Sequence, residues 1–196
     1  MQKPSADFFD RSVHRVARDL IGCTLLYDGC GGIIVETESY SEDDPACHAF
    51  NGRTPRNAGL FGRPGTAYVY LSYGIHRLLN FVAEPEGSAA AVLIRALEPT
   101  TGIEQMRRRR PGRSDLELCS GPGKLSEALG IELRDNGSDL LKVPFEIQLP
   151  EQGSAAPEIL ALPRVGITRA VEYPWRYCAV NSRFVSRPRP PVSLGA

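Results

Sequence analysis

Residues 33–40, Ile-Ile-Val-Glu-Thr-Glu-Ser-Tyr, begin apolar and end in two carboxylates and a ring. Side chains alternate faces along a strand, so Ile34, Glu36, Glu38 and Tyr40 are predicted to share one face. Ionised side chains are rarely buried without a partner or a task. A carboxylate beside an aromatic at a strand end is therefore a candidate site, and a carboxylate so placed can activate water as a general base. A second stretch, Thr66 to His76, reads as part of a hairpin. Tyr68–Tyr70 and Leu78–Val82 are strand-like, and Tyr73-Gly74 stands where the chain must turn. The ring of Tyr73 is then expected at an exposed tip.

The elements that must position these groups follow from pattern. Residues 10–21 keep helical spacing at Val13, Val16, Ala17, Leu20 and Ile21, with Gly22 to close the helix. Its His14 reads as a satisfied or surface histidine. Cys23–Tyr27 is a short strand, and Asp28-Gly29 turns it into the carboxylate strand. Ser41–Pro45 reads as an acidic, solvated loop leading to His48. The Gly-, Pro-, Asn- and Arg-rich segment 51–65 is a long loop, and such loops inside compact domains are often functional. Residues 89–97 are apolar enough for a central strand ending at Glu98-Pro99. Arg95 interrupts that strand and needs an acidic partner from a neighbour. Thr101 and Glu104 have capping-box spacing before a helix reaching Arg110. Ser120-Gly-Pro-Gly-Lys124 opens a helix ending at Gly130, where glycines, free amides and a lysine could cradle a phosphate. The spacing is not that of a P-loop.

Length and composition bound the reading. The 196 residues fit one domain with a single large core. No stretch approaches the roughly 20 apolar residues of a membrane span, and the first residues lack a signal-peptide core; a cytoplasmic protein is expected. Five scattered cysteines form no C-x-x-C pair and read as reduced structural thiols. The formal net charge is zero. Even so, of 23 basic residues only Lys3, Lys124 and Lys142 are lysines, and the arginines gather at Arg53, Arg56 and Arg63 and at Arg107–Arg110. Arginine forks suit phosphates and stack on bases, so a local basic face is compatible with zero net charge. Whether the 107–110 run itself touches a ligand is left open.

No cofactor motif and no metal cluster stands out. Carboxylate, aromatic rings, arginines and an exposed wedge suit an enzyme that takes a base out of a duplex. A flipped base stacks between rings, a wedge fills the gap, and a carboxylate activates water against the sugar carbon through an oxocarbenium-like transition state. No lysine is near these motifs in the sequence, so a Schiff base with the sugar is not expected.

The ordered set Val35–Tyr40, Ala46–His48, Thr54–Asn57, Pro64–Tyr70, Tyr73-Gly74, Arg95–Pro99 and Leu118–Leu125 resembles the alkyladenine (3-methyladenine) DNA glycosylase family, at close to its spacing from about Phe8 to Val185. The resemblance implies a mixed α/β (α+β) single domain over residues 1–185. It would have a curved antiparallel sheet core, surrounding helices and a protruding DNA-intercalating hairpin. Residues 186–196 are expected to be a disordered Pro/Arg-rich tail. The resemblance also implies roles. Glu38 would be the general base, with Arg95 helping to orient the water. Tyr40 and Tyr70 would sandwich the flipped base, His48 would line the same pocket, and Asn80 would shape it against wrong purines. Tyr73 would intercalate, and Gly121, Gly123 and Lys124 would hold backbone phosphate. Glu36 is the competing carboxylate, or else a structural partner of an arginine. The implied function is monofunctional excision of 3-methyladenine, with hypoxanthine, 7-methylguanine and ethenoadenine as further substrates, by a cofactor-free monomer acting on duplex DNA. Two departures bear on substrate range and DNA contact. Ile75-His76 follows the wedge where vertebrate members carry larger or aromatic residues, and Glu84 and Glu86 add negative charge near the hairpin. A non-catalytic damage-binding module and a nucleosidase are the rival readings.

Overall fold

The computed structural model describes residues 2–151, 153 and 155–189. Eight strands form one antiparallel sheet: β1 (Thr24–Tyr27), β2 (Cys30–Tyr40), β3 (Ala67–Ser72), β4 (His76–Val82), β5 (Ala91–Thr101), β6 (Phe145–Gln148), β7 (Ile159–Leu162) and β8 (Arg176–Ala179). The main path is β3-β4-β5-β2-β1-β6, and β8 also pairs with β2 and carries β7. The two 11-residue strands, β2 and β5, form the spine. One edge of β2 takes β1 along its first half and β8 along its second. Gly31 and Gly32 permit that crowding, because a Cβ on Gly31 would stand 1.9 Å from Leu25 O, and one on Gly32 1.9 Å from Glu98 O.

The helices α1 (Ala6–Phe9), α2 (Val13–Asp19), α3 (Ile103–Arg109), α4 (Asp115–Leu118) and α5 (Pro122–Leu129) surround the sheet. The helix expected over 10–21 begins only at Val13, because Asp10 caps the separate turn α1. Val13, Val16 and Ala17 are buried, in the same core as Phe9, Phe81, Phe145 and Ile94. Each such side chain contributes about 1.5–3 kcal/mol by leaving water. The strand expected to stop at Glu98-Pro99 continues to Thr101, with Pro99 seated opposite Gly32 beside a register shift, where a missing N–H is tolerated. The capping box expected at Thr101 is absent. The N-cap of α3 is left-handed Gly102, and Glu104 pairs with Arg107 instead. A capping box does form at Ser114 and Glu117.

All five cysteines are buried and free. Among the described residues, no helix is long and apolar enough to cross a membrane. Of the expected tail, Ser186 is buried and hydrogen-bonded, so the ordered chain runs past residue 185; residues 190–196 lie outside the described residues.

Candidate active site

The site is built where β2 and β5 fall out of register. Val35 is the extra residue on β2 and Arg95 the extra residue on β5, so two bulges face each other across the ladder. Bulges bend a strand and re-aim a side chain. The bulge at Val35 interrupts the alternation that would group Ile34 with Glu36. From Glu36 onward the alternation holds, with Glu36 and Glu38 both meeting Arg95, and Thr37 donating instead to Ala17 O on α2.

Arg95 bridges the carboxylates. Its Nε donates to Glu36 Oε1 at 2.9 Å and its Nη1 to Glu38 Oε2 at 3.2 Å. Glu36 has further partners: Oε1 also accepts Arg176 Nε at 2.7 Å and Ser186 Oγ at 2.9 Å, and Oε2 accepts Ser186 N at 2.7 Å. Three of these four bonds crowd onto Oε1, and among the described residues Oε2 accepts only Ser186 N. Burial opposes ionisation of Glu36, but Arg95 and Arg176 overcome it and hold the carboxyl below the usual carboxylate range. Burial likewise opposes the charge on Arg95, and Glu38 and Glu36 restore it.

Glu38 has different company. Oε1 accepts Val165 N at 2.8 Å, and Oε2 accepts the Tyr40 hydroxyl at 2.8 Å besides Arg95. Among the described residues this leaves one lone-pair site unclaimed. The carboxylate is fully buried, but Tyr40, Arg95 and Val165 all line a cleft of about 800 Å³. Burial and then Glu38 push the Tyr40 hydroxyl well up, so it stays a neutral donor.

Every predicted site residue other than Glu38 lines this cleft: Tyr40, His48, Tyr70, Tyr73, Asn80, Arg95, Gly121, Gly123 and Lys124. A small apolar cluster that includes Leu60, Tyr68 and Val82 packs under Tyr40 and Tyr70. Tyr70 stacks on Tyr68 with centroids 5.5 Å apart and meets His48 edge-on at 4.5 Å. His48 is packed against these rings, and partial burial and then Arg56 lower its pKa. Asn80 is buried, with Nδ2 donating to Tyr68 O and Leu78 O, so its amide is fixed in the cleft floor.

Strands β3 and β4 pair antiparallel up to Ser72 opposite His76, and a turn joins them. Ile75 N donates to Ser72 O, and Tyr73 and Gly74 both have positive φ, 50° and 74°. This is a tight turn of the I′ kind, suited to the twist of the flanking strands. A left-handed tyrosine costs about 1–2 kcal/mol, yet its ring is 86% exposed. Opposite, α5 begins with Pro122, so the amides of Gly123 and Lys124 lack intrahelical partners. Gly123 lies close under His76; a Cβ there would stand 3.1 Å from the imidazole.

Several sequence expectations change here. Asp44, read as part of a solvated acidic loop, is fully buried and paired with Arg164. Lys124 lines the cleft, so distance along the chain was a poor guide to whether a lysine is near. Glu84 accepts Val13 N at the far end of β4 from the hairpin tip, and so is turned away from it. The arginine run is mostly structural: Arg107 pairs with Glu104 and Asp115, Arg109 donates to the last carbonyls of α5, and Arg110 pairs with Glu127. Arg56, Tyr68, Val165 and Arg169 of the cleft wall were not singled out by sequence, although Arg56 lies in the 51–65 loop.

A family model described as methylpurine-DNA glycosylase matches residues 7–183. A Rhodopseudomonas palustris protein provisionally named 3-methyladenine DNA glycosylase is 58% identical over 183 residues, 93% of this chain and 87% of the relative. Proteins of the same name from Bradyrhizobium diazoefficiens (56% identical; 93% of this chain, 90% of the relative) and Nitrosospira multiformis (50%; 96% and 95%) are also similar. A match of this extent shows that the protein belongs to the methylpurine-DNA glycosylase family, the DNA-repair hydrolases of the N-glycosidic bond.

Proposed function

We propose that the protein flips an alkylated or deaminated purine out of duplex DNA into the cleft and cleaves its N-glycosidic bond with a water activated by Glu38. The observation that carries this reading is the contrast between the two carboxylates. Glu36 accepts four hydrogen bonds, from Arg95, Arg176 and Ser186, of which only Arg95 lines the cleft, whereas Glu38 accepts three, all from residues that line it. The water oxygen bonds to the sugar carbon, the glycosidic pair leaves on the purine nitrogen, and the water proton passes to Glu38. A purine alkylated at N3 or N7 is cationic before cleavage and departs neutral without a general acid, whereas hypoxanthine or ethenoadenine departs as an anion that takes its proton from water. Arg95 stays charged beside the same carboxylate and helps orient the water.

Tyr40, Tyr70 and His48 are the walls between which a planar base stacks, and Asn80 is the fixed amide that screens purine edges. Tyr73 is the wedge that fills the vacated stack. Lys124 and the Gly121–Gly123 amides, with Arg56 and Arg169, form a basic rim for phosphates. The enzyme acts as a monomer on duplexes carrying 3-methyladenine first, with hypoxanthine, 7-methylguanine and ethenoadenine as further lesions. It leaves an abasic site without strand cleavage; Lys124 serves the backbone, and borohydride is expected to trap no covalent enzyme–DNA adduct. The deciding experiment is base release from duplexes each carrying one lesion, with undamaged duplex as control. Release from lesion duplexes with an intact abasic strand is expected. Tight lesion binding without any release would favour a damage-binding module.

A further inference from the structure

Arg164 lies in the irregular segment between β7 and β8, and its side chain is fully enclosed. Nη2 donates to Asp44 Oδ1 at 2.9 Å, while Nη1 donates to Asp44 Oδ2 and to Ser39 O, the latter at 3.1 Å. The guanidinium carbon is 4.6 Å from the centroid of Tyr40 and 5.0 Å from that of Trp175. Among the described residues Nε has no partner, so the group is held by its terminal nitrogens and by two rings. The next residue, Val165, donates its N–H to Glu38. One buried cation therefore touches the backbone of Ser39 and the ring of Tyr40, and its neighbour along the chain holds the carboxylate of Glu38. Tyr40 reaches the cleft; Arg164 does not.

We propose that Arg164, anchored by Asp44, is a positioning residue for excision, fixing the Tyr40 ring and the Glu38 carboxylate relative to each other. The inference rests on the function proposed above. Its logic is geometric. Tyr40 and Glu38 lie at the free end of β2, where the strand gives way to the loop that carries Asp44. The Tyr40 hydroxyl already donates to Glu38 at 2.8 Å, and the clamp fixes the face of that ring and, through Val165, the other carboxylate oxygen, so that the bonded pair keeps one orientation toward the cleft. A planar fork that binds a carboxylate with two nitrogens and stacks on aromatic faces suits this role, and a lysine cannot reproduce it.

The test is a double-mutant cycle on single-turnover base release from a duplex carrying 7-methylguanine. Arg164→Lys is expected to slow release roughly ten- to hundredfold, the scale of a small misplacement. Affinity for undamaged duplex, read at the hairpin and rim, should stay within about twofold, as for any site remote from the change. In a Tyr40→Ala background the same change should cost less than about threefold, because its target is gone. Asp44→Asn should reproduce the loss. Parental rates in Arg164→Lys or Asp44→Asn, or an equal loss with and without Tyr40, would overturn the proposal. Unfolding of both variants would assign the pair to stability alone and overturn it as well. A parent enzyme that releases no base, or a Glu38→Gln variant that releases it at the parental rate, would instead sink the underlying function and this inference with it.

Discussion

Glu36 and Glu38 stand two residues apart on one strand, face the same way and share Arg95, yet their surroundings divide the molecule into two regions. Around Glu36 the chain is closed: Arg95, Arg176 and Ser186 come from β5, β8 and the C-terminal segment to bond its carboxylate. Glu38 is equally buried, but its partners Tyr40, Arg95 and Val165 are all walls of the cleft. Residue type is the same in the two places. The difference lies in what the partners face: those of Glu36 join β5, β8 and the C-terminal segment, whereas those of Glu38 line the cleft.

Breaking the closed region should give the largest effect on stability. Glu36→Gln leaves the buried Arg176 without its carboxylate and Arg95 with Glu38 alone, and loss of one partner of a buried pair costs about 3–5 kcal/mol. A large drop in denaturant midpoint is expected; an unchanged midpoint would return Glu36 to the list of candidate bases. Tyr73→Ala should act the opposite way. Release from duplex should fall roughly tenfold or more, while stability moves by less than about 0.5 kcal/mol, since the ring touches solvent. Equal loss on free nucleoside and on duplex would count against a wedge.

Acid titration sharpens the same contrast. The folded-state pKa of Glu36 lies below its unfolded value of 4.5. Its contribution to stability is therefore complete above pH 4.5 and is lost as pH falls through the folded value. Melting temperature should drop across that window, and the drop attributable to Glu36 should vanish in Glu36→Gln. The smallest effect belongs to the rim. Lys124→Ala should weaken duplex binding a few-fold, alike for all sequences, and reduce the salt slope by about one. A slope identical to the parent's would remove Lys124 from the phosphate contacts.

What the sequence made legible was local. Alternation placed Glu36, Glu38 and Tyr40 together, the turn signal placed Tyr73 at a tip, and a lone arginine in an apolar strand demanded an acidic neighbour, which Glu36 and Glu38 supply. What it hid was long-range. Ser186 lies 150 residues from Glu36, and Arg164 lies 120 from Asp44; no periodicity records such meetings. Asp44 looked like surface because its loop is acidic, and Lys124 looked remote because α5 folds back onto the cleft. The capping box at Thr101 failed for a local reason: Gly102 adopts the left-handed region and becomes the cap itself.

The most direct test of the central claim is base release from a 3-methyladenine-type lesion duplex by the parent and by Glu38→Gln under single-turnover conditions. The expected result is a loss of about 10²–10⁴-fold, the usual worth of a general base, with lesion binding and melting temperature retained. Release by Glu38→Gln at the parental rate would contradict the account and move the chemistry away from this carboxylate.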